Sequence, residues 1–168
     1  MSEEILNKVA SSSLISIDLE EYYPKGEIVL FDLKPLLFME LILKEKEFRA
    51  ALQQIDWSKY QDKIVVLTCS ADAIIPVWAY MLVTSYLQPI ATDIIVGDEK
   101  SAASQIVLKR INELNPDDYL DKRIVIKGCG DLQIDSSAYA EITKILVPVV
   151  KSIMYGEPCS TVPVYKKK

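Results

Sequence analysis

Tyr60–Gly97 reads YQDKIVVLTCSADAIIPVWAYMLVTSYLQPIATDIIVG, and Tyr119–Gly156 reads YLDKRIVIKGCGDLQIDSSAYAEITKILVPVVKSIMYG. The two segments align without a gap at an offset of 59 residues, and 13 of 38 positions are identical: Tyr60, Asp62, Lys63, Val66, Asp72, Ile75, Ala79, Tyr80, Thr84, Leu87, Pro89, Ile94 and Gly97 with their counterparts. Chance gives roughly two or three for ordinary composition. Each copy reads as a turn, a strand, a loop with an aspartate, a helix stopped by proline and a second strand ending in glycine. Lys63–Thr68 and Arg123–Lys127 are β-branched runs of strand length, apolar on both faces, as buried parallel strands are. Strands alternating with helices of this length predict βαβ units, a mostly parallel sheet and right-handed crossovers. The fold class is therefore α/β, built from two duplicated βαβ units.

Outward from the repeat, Val77–Gln88 is apolar nearly all round and predicts a buried helix that other elements or a second subunit must cover. Its counterpart starts near Asp135 or Ser136, both good caps, and has one apolar stripe through Ala138, Ile142, Ile145, Leu146 and Val149. Ser152–Tyr155 is read as the last strand. Between the copies, Ser101–Leu114 has helical apolar spacing and is closed by Asn115-Pro116. Upstream, Leu14–Leu19 and Glu27–Leu33 read as strands joined around Tyr23-Pro24-Lys25-Gly26, hence an N-terminal β-hairpin. Leu41–Ile55 reads as an amphipathic helix through Phe48 and Leu52. No linker or low-complexity stretch interrupts 1–168, so one domain is expected.

The formal net charge is −5, which disfavours non-specific nucleic-acid binding, and Lys166–Lys168 reads as a solvated tail. The N-terminus lacks an apolar signal region, and Ala73–Leu87 carries Pro76 and is short for a membrane span. A cytoplasmic protein without a membrane partner is expected. Histidine is absent, which excludes serine–histidine and cysteine–histidine catalysis and histidine-ligated metal. Any enzymatic proton transfer falls to aspartate, glutamate, lysine, tyrosine or cysteine.

All three cysteines follow strands: Cys69 in the loop after the first strand of copy one, Cys129 between Gly128 and Gly130, and Cys159 after the last strand. In open parallel sheets ligands bind outside the carboxyl ends of the strands. Cys69, Cys129 and Cys159, completed by Asp72 or Asp131, are the candidate ligands of zinc or an iron–sulfur cluster, since zinc accepts thiolates and carboxylates. No CxxC spacing supports them, and free cysteine is also a small hydrophobe that packs beside strands. Asp72 and Asp131 read first as helix caps or loop hydrogen-bond acceptors, and in the alternative as paired carboxylates doing acid–base work. Tyr80, Tyr139 and Trp78 read as packing residues, and Asp62-Lys63 and Asp121-Lys122 as turns.

Five segments resemble the DUF2480 family of bacterial proteins: FDLKPLLF (Phe31–Phe38), LILKEKEFR (Leu41–Arg49), LTCSADAIIPVWAYMLV (Leu67–Val83), VIKGCG (Val125–Gly130) and KSIMYGEPCSTVPVYK (Lys151–Lys166). The resemblance spans nearly the whole chain. It implies a small soluble bacterial protein with no assigned activity, and a genomic context near iron–sulfur assembly proteins. Three functions are expected from the residues, and the resemblance adds weight to the first. One is a metal- or thiol-dependent accessory protein in iron–sulfur metabolism. The main rival is a non-enzymatic homo-oligomeric interaction or scaffold protein whose cysteines are only packed. The third is a small-molecule enzyme using the aspartates as general acid and base.

Overall fold

The computed structural model describes residues 14–127, 130–157 and 160–168. The protein is α/β, with mostly parallel sheets. In chain order the elements are β1 (Leu14–Asp18), β2 (Ile28–Asp32), α1 (Glu45–Gln53), β3 (Ile64–Thr68), α2 (Val77–Leu87), β4 (Asp93–Val96), α3 (Glu99–Asn112), β5 (Arg123–Lys127), α4 (Ser136–Leu146), β6 (Ser152–Glu157) and β7 (Ser160–Lys166). Two compact units result: unit I takes residues 14–23 and 106–168, and unit II takes 24–105.

Unit II is a three-stranded parallel sheet in the order β2-β3-β4. The central strand β3 is buried from Ile64 to Leu67, as its two-sided apolar run requires. Its Val65 and Leu67 pack against Phe48 and Leu52 of α1 and Ala79, Val83 and Leu87 of α2. Trp57 stacks on Phe31 and on Tyr86, at ring-centroid distances of 5.5 and 4.8 Å, and its indole N–H donates to the Leu52 carbonyl at 3.0 Å.

Unit I is a four-stranded sheet in the order β1-β5-β6-β7, parallel except for β7. Ile124 and Ile126 of β5 pack with Val107 and Ile111 of α3 and Ala138, Ile142 and Leu146 of α4. Asp135 caps α4, its carboxylate accepting the Ser137 N–H at 2.8 Å.

The 59-residue offset recurs in element bounds and in detail. It relates β3 to β5, α2 to α4, the starts of β4 and β6, and the 3-10 turns Trp57–Tyr60 and Pro116–Tyr119. It also relates Phe48 and Leu52 of α1 to Val107 and Ile111 of α3, all four buried.

Three expectations are corrected. The N-terminal β-hairpin does not form: β1 pairs in parallel with β5, Leu14 opposite Arg123, and β2 pairs in parallel with β3, Ile28 opposite Ile64. The physical reason is that β3 and β5, apolar on both faces, each take a parallel neighbour on both sides. The first helix starts at Glu45, because Met39 and Glu40 take positive φ (51° and 58°) in a turn closed by a Phe38–Ile42 bridge. Ser152–Tyr155 is not the last strand: β7 runs antiparallel along β6 and takes in Lys166, with a bulge at Val164 that accommodates Pro163 on this edge strand, while Lys166–Lys168 stay exposed. Within one chain α2 is covered on one side: Ala79, Val83 and Leu87 are fully buried and Trp78, Tyr80, Leu82 and Tyr86 partly so, while Val77 is 78% and Met81 70% exposed and would have to be covered from outside the chain.

Candidate functional site

In unit II the carboxyl end of the sheet is organised by Asp32, the last residue of β2, in register with Thr68 of β3. Its Oδ1 accepts the Lys34 N–H at 3.0 Å and the Ser70 N–H at 2.9 Å, and its Oδ2 accepts the Ser70 hydroxyl. The Leu33 N–H donates to the Thr68 carbonyl at 2.9 Å. These bonds pin the start of the loop after β3. Desolvation pushes the Asp32 carboxyl up, but the hydrogen bonds from the Ser70 hydroxyl and the Lys34 and Ser70 amides outweigh it and hold the pKa below the ordinary aspartate value.

Cys69 follows β3 directly and is half-buried, with Sγ 3.8 Å from the Ala71 carbonyl oxygen. Partial burial raises the Tyr80 phenol, and the nearby Cys69 sulfur raises it further. Asp72 is exposed and forms no hydrogen bond among the described residues. It does not cap α2, whose N-terminal flank is Pro76 with no side-chain cap.

Unit I has a related edge. Asp18 ends β1 opposite Lys127, takes the Glu20 N–H at 3.0 Å on Oδ1, and lies 3.7 Å from the Lys127 ammonium. The Glu20 carboxylate accepts the Leu132 N–H at 2.8 Å and sits against Gly130 so closely that a β-carbon there would overlap it. Glu20 thus clasps the loop after β5. Asp131 in that loop is exposed and caps nothing, the cap of α4 being Asp135. Cys129 and Cys159 lie outside the described residues. Asp72 and Cys69 belong to unit II and Asp131 to unit I.

Asp18 and Asp32 are not among the residues the sequence singles out, yet it carries a signal for them: LISIDL (Leu14–Leu19) and IVLFDL (Ile28–Leu33) both end in aspartate-leucine, the leucine fully buried and the aspartate turned onto the next backbone amides.

Chemically, Asp18, Asp32 and Glu20 act here as hydrogen-bond acceptors that fix loops. Among the described residues no group of three or more cysteine and acidic side chains is placed to hold a metal ion. An apolar groove flanks the second helix of each unit. In unit I, Tyr139, Ala140, Thr143, Tyr155 and Val164 border about 460 Å³. In unit II, Tyr80, Met81, Thr84 and Val96 border about 480 Å³. Four of these lining positions correspond at the 59-residue offset: Tyr80 and Tyr139, Met81 and Ala140, Thr84 and Thr143, Val96 and Tyr155. No described helix is long and apolar enough to cross a membrane.

A family model described as "Protein of unknown function (DUF2480)" matches residues 3–167, and the chain belongs to that family. No curated protein and no solved structure matches it.

Proposed function

We propose that this member of the DUF2480 family is a non-enzymatic interaction protein that works as a homo-oligomer, joining copies through the outer face of α2. One observation carries the reading. Val77 and Met81, one helical turn apart on the same face, are 78% and 70% exposed, and Ile74 just before the helix is 95% exposed. Contiguous exposed apolar side chains of this size mark interaction surfaces. The fold does not demand them, for the corresponding residues of unit I are Gln133, Ser136 and Ala140. A row without charge can face its own copy across a two-fold axis without repulsion, which favours a second copy as occupant. Light scattering tests this. The wild type should reach twice the 19.0 kDa chain mass as concentration rises, and Val77→Asp/Met81→Lys should stay at one chain mass. A wild type of single-chain mass up to submillimolar concentration contradicts the proposal.

The second reading is a thiol or metal accessory protein in iron–sulfur metabolism, with Cys69, Cys129 and Cys159 and either Asp72 or Asp131 holding zinc or a cluster. The half-buried place of Cys69 directly after β3 supports a thiol at the carboxyl edge. The recurrence of element bounds at one offset likewise supports an origin of the chain by internal duplication.

A further inference from the structure

We propose that the groove at the amino end of the unit I sheet binds a small organic anion, a carboxylate or phosphate ester carried on an apolar body. Arg123 opens β5 and stands opposite Ser152 of β6, which in turn stands opposite Lys166 of β7. Residues opposed in register share a face, and neighbouring strands are about 4.8 Å apart. The three side chains therefore form one row across three strands, with Met154 and Pro163, opposed to each other, in the next row of that face. Lys151 adjoins the row. Its N–H donates to the Lys122 carbonyl at 2.8 Å, and its carbonyl accepts the Lys167 N–H at 3.0 Å. Arg123, Lys151, Ser152, Met154, Pro163 and Lys166 line a groove of about 380 Å³. That is the size of a small-ligand site: an apolar floor with a few fixed polar groups at one end.

The charges make the case. Lys63, Lys127, Lys144 and Lys167 each sit within 4 Å of an acid. Arg123, Lys151 and Lys166 have no such partner among the described residues; the same holds for scattered lysines such as Lys25, Lys46, Lys59 and Lys100, but these three line one groove, although the chain as a whole carries −5. Gathering three unpaired cations on one groove costs repulsion that an anion would relieve. The fold does not require the cluster either. At the 59-residue offset, Arg123, Lys151 and Ser152 correspond to Ile64, Thr92 and Asp93 of unit II, which has no cation at these positions. An arginine fork on a rigid strand suits the two oxygens of a carboxylate or phosphate, and the lysines add point charge. Three cations are few for a nucleic-acid backbone, so a small ligand is the occupant the groove fits.

The test is an amide-resolved NMR titration of the full chain with 1-naphthyl phosphate, 1-naphthoate, neutral 1-naphthylmethanol and inorganic phosphate. Both naphthyl anions should shift the amides of Arg123, Lys151–Met154 and Val164–Lys166. The tighter of the two identifies the head group. The neutral probe and inorganic phosphate should each bind at least about tenfold more weakly, since each lacks half of the recognition. Arg123→Gln/Lys151→Gln, and separately Lys166→Gln, should weaken the anions by a similar factor while leaving the rest of the spectrum in place. Shifts centred elsewhere, equal binding of the neutral probe, variants with wild-type affinity, or no shift with any probe at millimolar concentration would each overturn the assignment.

Discussion

Asp62 and Asp121 hold the same unusual backbone 59 residues apart. Both take left-handed φ, 58° and 55°, and each donates its N–H at 2.9 Å to a carbonyl just past the following helix, Ile90 for Asp62 and Val149 for Asp121. The turn before each central strand is thereby tied to the chain that leads into the next strand. Aspartate tolerates this conformation and a β-branched residue does not. Asp62→Val and Asp121→Val should each destabilise the fold by about 1–3 kcal/mol, while the glycine variants should be neutral or mildly stabilising. Urea denaturation of the four variants decides it, and a valine variant as stable as wild type would remove the role of the turn.

Glu20 and Gly130 make a second tie. Gly130→Ala should force the Glu20 carboxylate off the Leu132 amide, with a loss of about 1–3 kcal/mol for a charged hydrogen bond. In Glu20→Ala the same glycine substitution should have a much smaller effect, because the obstructing carboxylate is gone. Equal effects in the two backgrounds would show that the clasp contributes nothing.

Acid should reveal Asp32. Its folded pKa lies below the ordinary aspartate value, so it favours folding at pH above the unfolded pKa, about 3.9, and that contribution is lost as pH falls through the lower folded value. Stability measured from pH 6 downwards should fall below about pH 4, and Asp32→Asn should flatten part of that fall. An unchanged profile in the variant would mean the Ser70 and Lys34 contacts are energetically idle.

These ties mark the division between what could be read in the chain and what could not. KIVVLT and RIVIK announce central strands because a two-sided apolar run has no other use, and the Asp135 cap and the prolines after α2 and α4 bound their helices locally. The partners of β1 and β2 are another matter. Leu14 pairs with a residue more than a hundred positions away, and no local pattern tells a hairpin from two parallel edges. Pro163 hides β7, since proline demotes a strand except at an edge or bulge. Helix α2 is apolar on both sides, and its composition does not tell the side that packs on its own sheet, with Ala79, Val83 and Leu87 fully buried, from the side that carries Val77 and Met81. At the candidate site, identity across the repeat drew attention to Asp72 and Asp131. The acids that organise the loops are Asp18, Glu20 and Asp32, whose loop partners Ser70, Lys127 and Leu132 are 38 to 112 residues away.

The thiol reading has its own test. Elemental analysis of anaerobically purified protein should find about one zinc per chain, or iron with inorganic sulfide, if the three thiolates and a carboxylate form a ligand shell. Cys69→Ser should then remove the metal and leave the sheet folded. Protein that is metal-free on anaerobic purification and does not take up zinc on addition would retire that reading.

Whether copies meet on α2 can be read from amide hydrogen exchange of the full chain, followed by mass spectrometry at rising protein concentration. Peptides covering Ile74–Met81 should become more protected as concentration rises, and this gain should disappear in Val77→Asp/Met81→Lys. Exchange over Ile74–Met81 that is the same at every concentration, or protection that grows only elsewhere, would contradict a meeting of copies on α2.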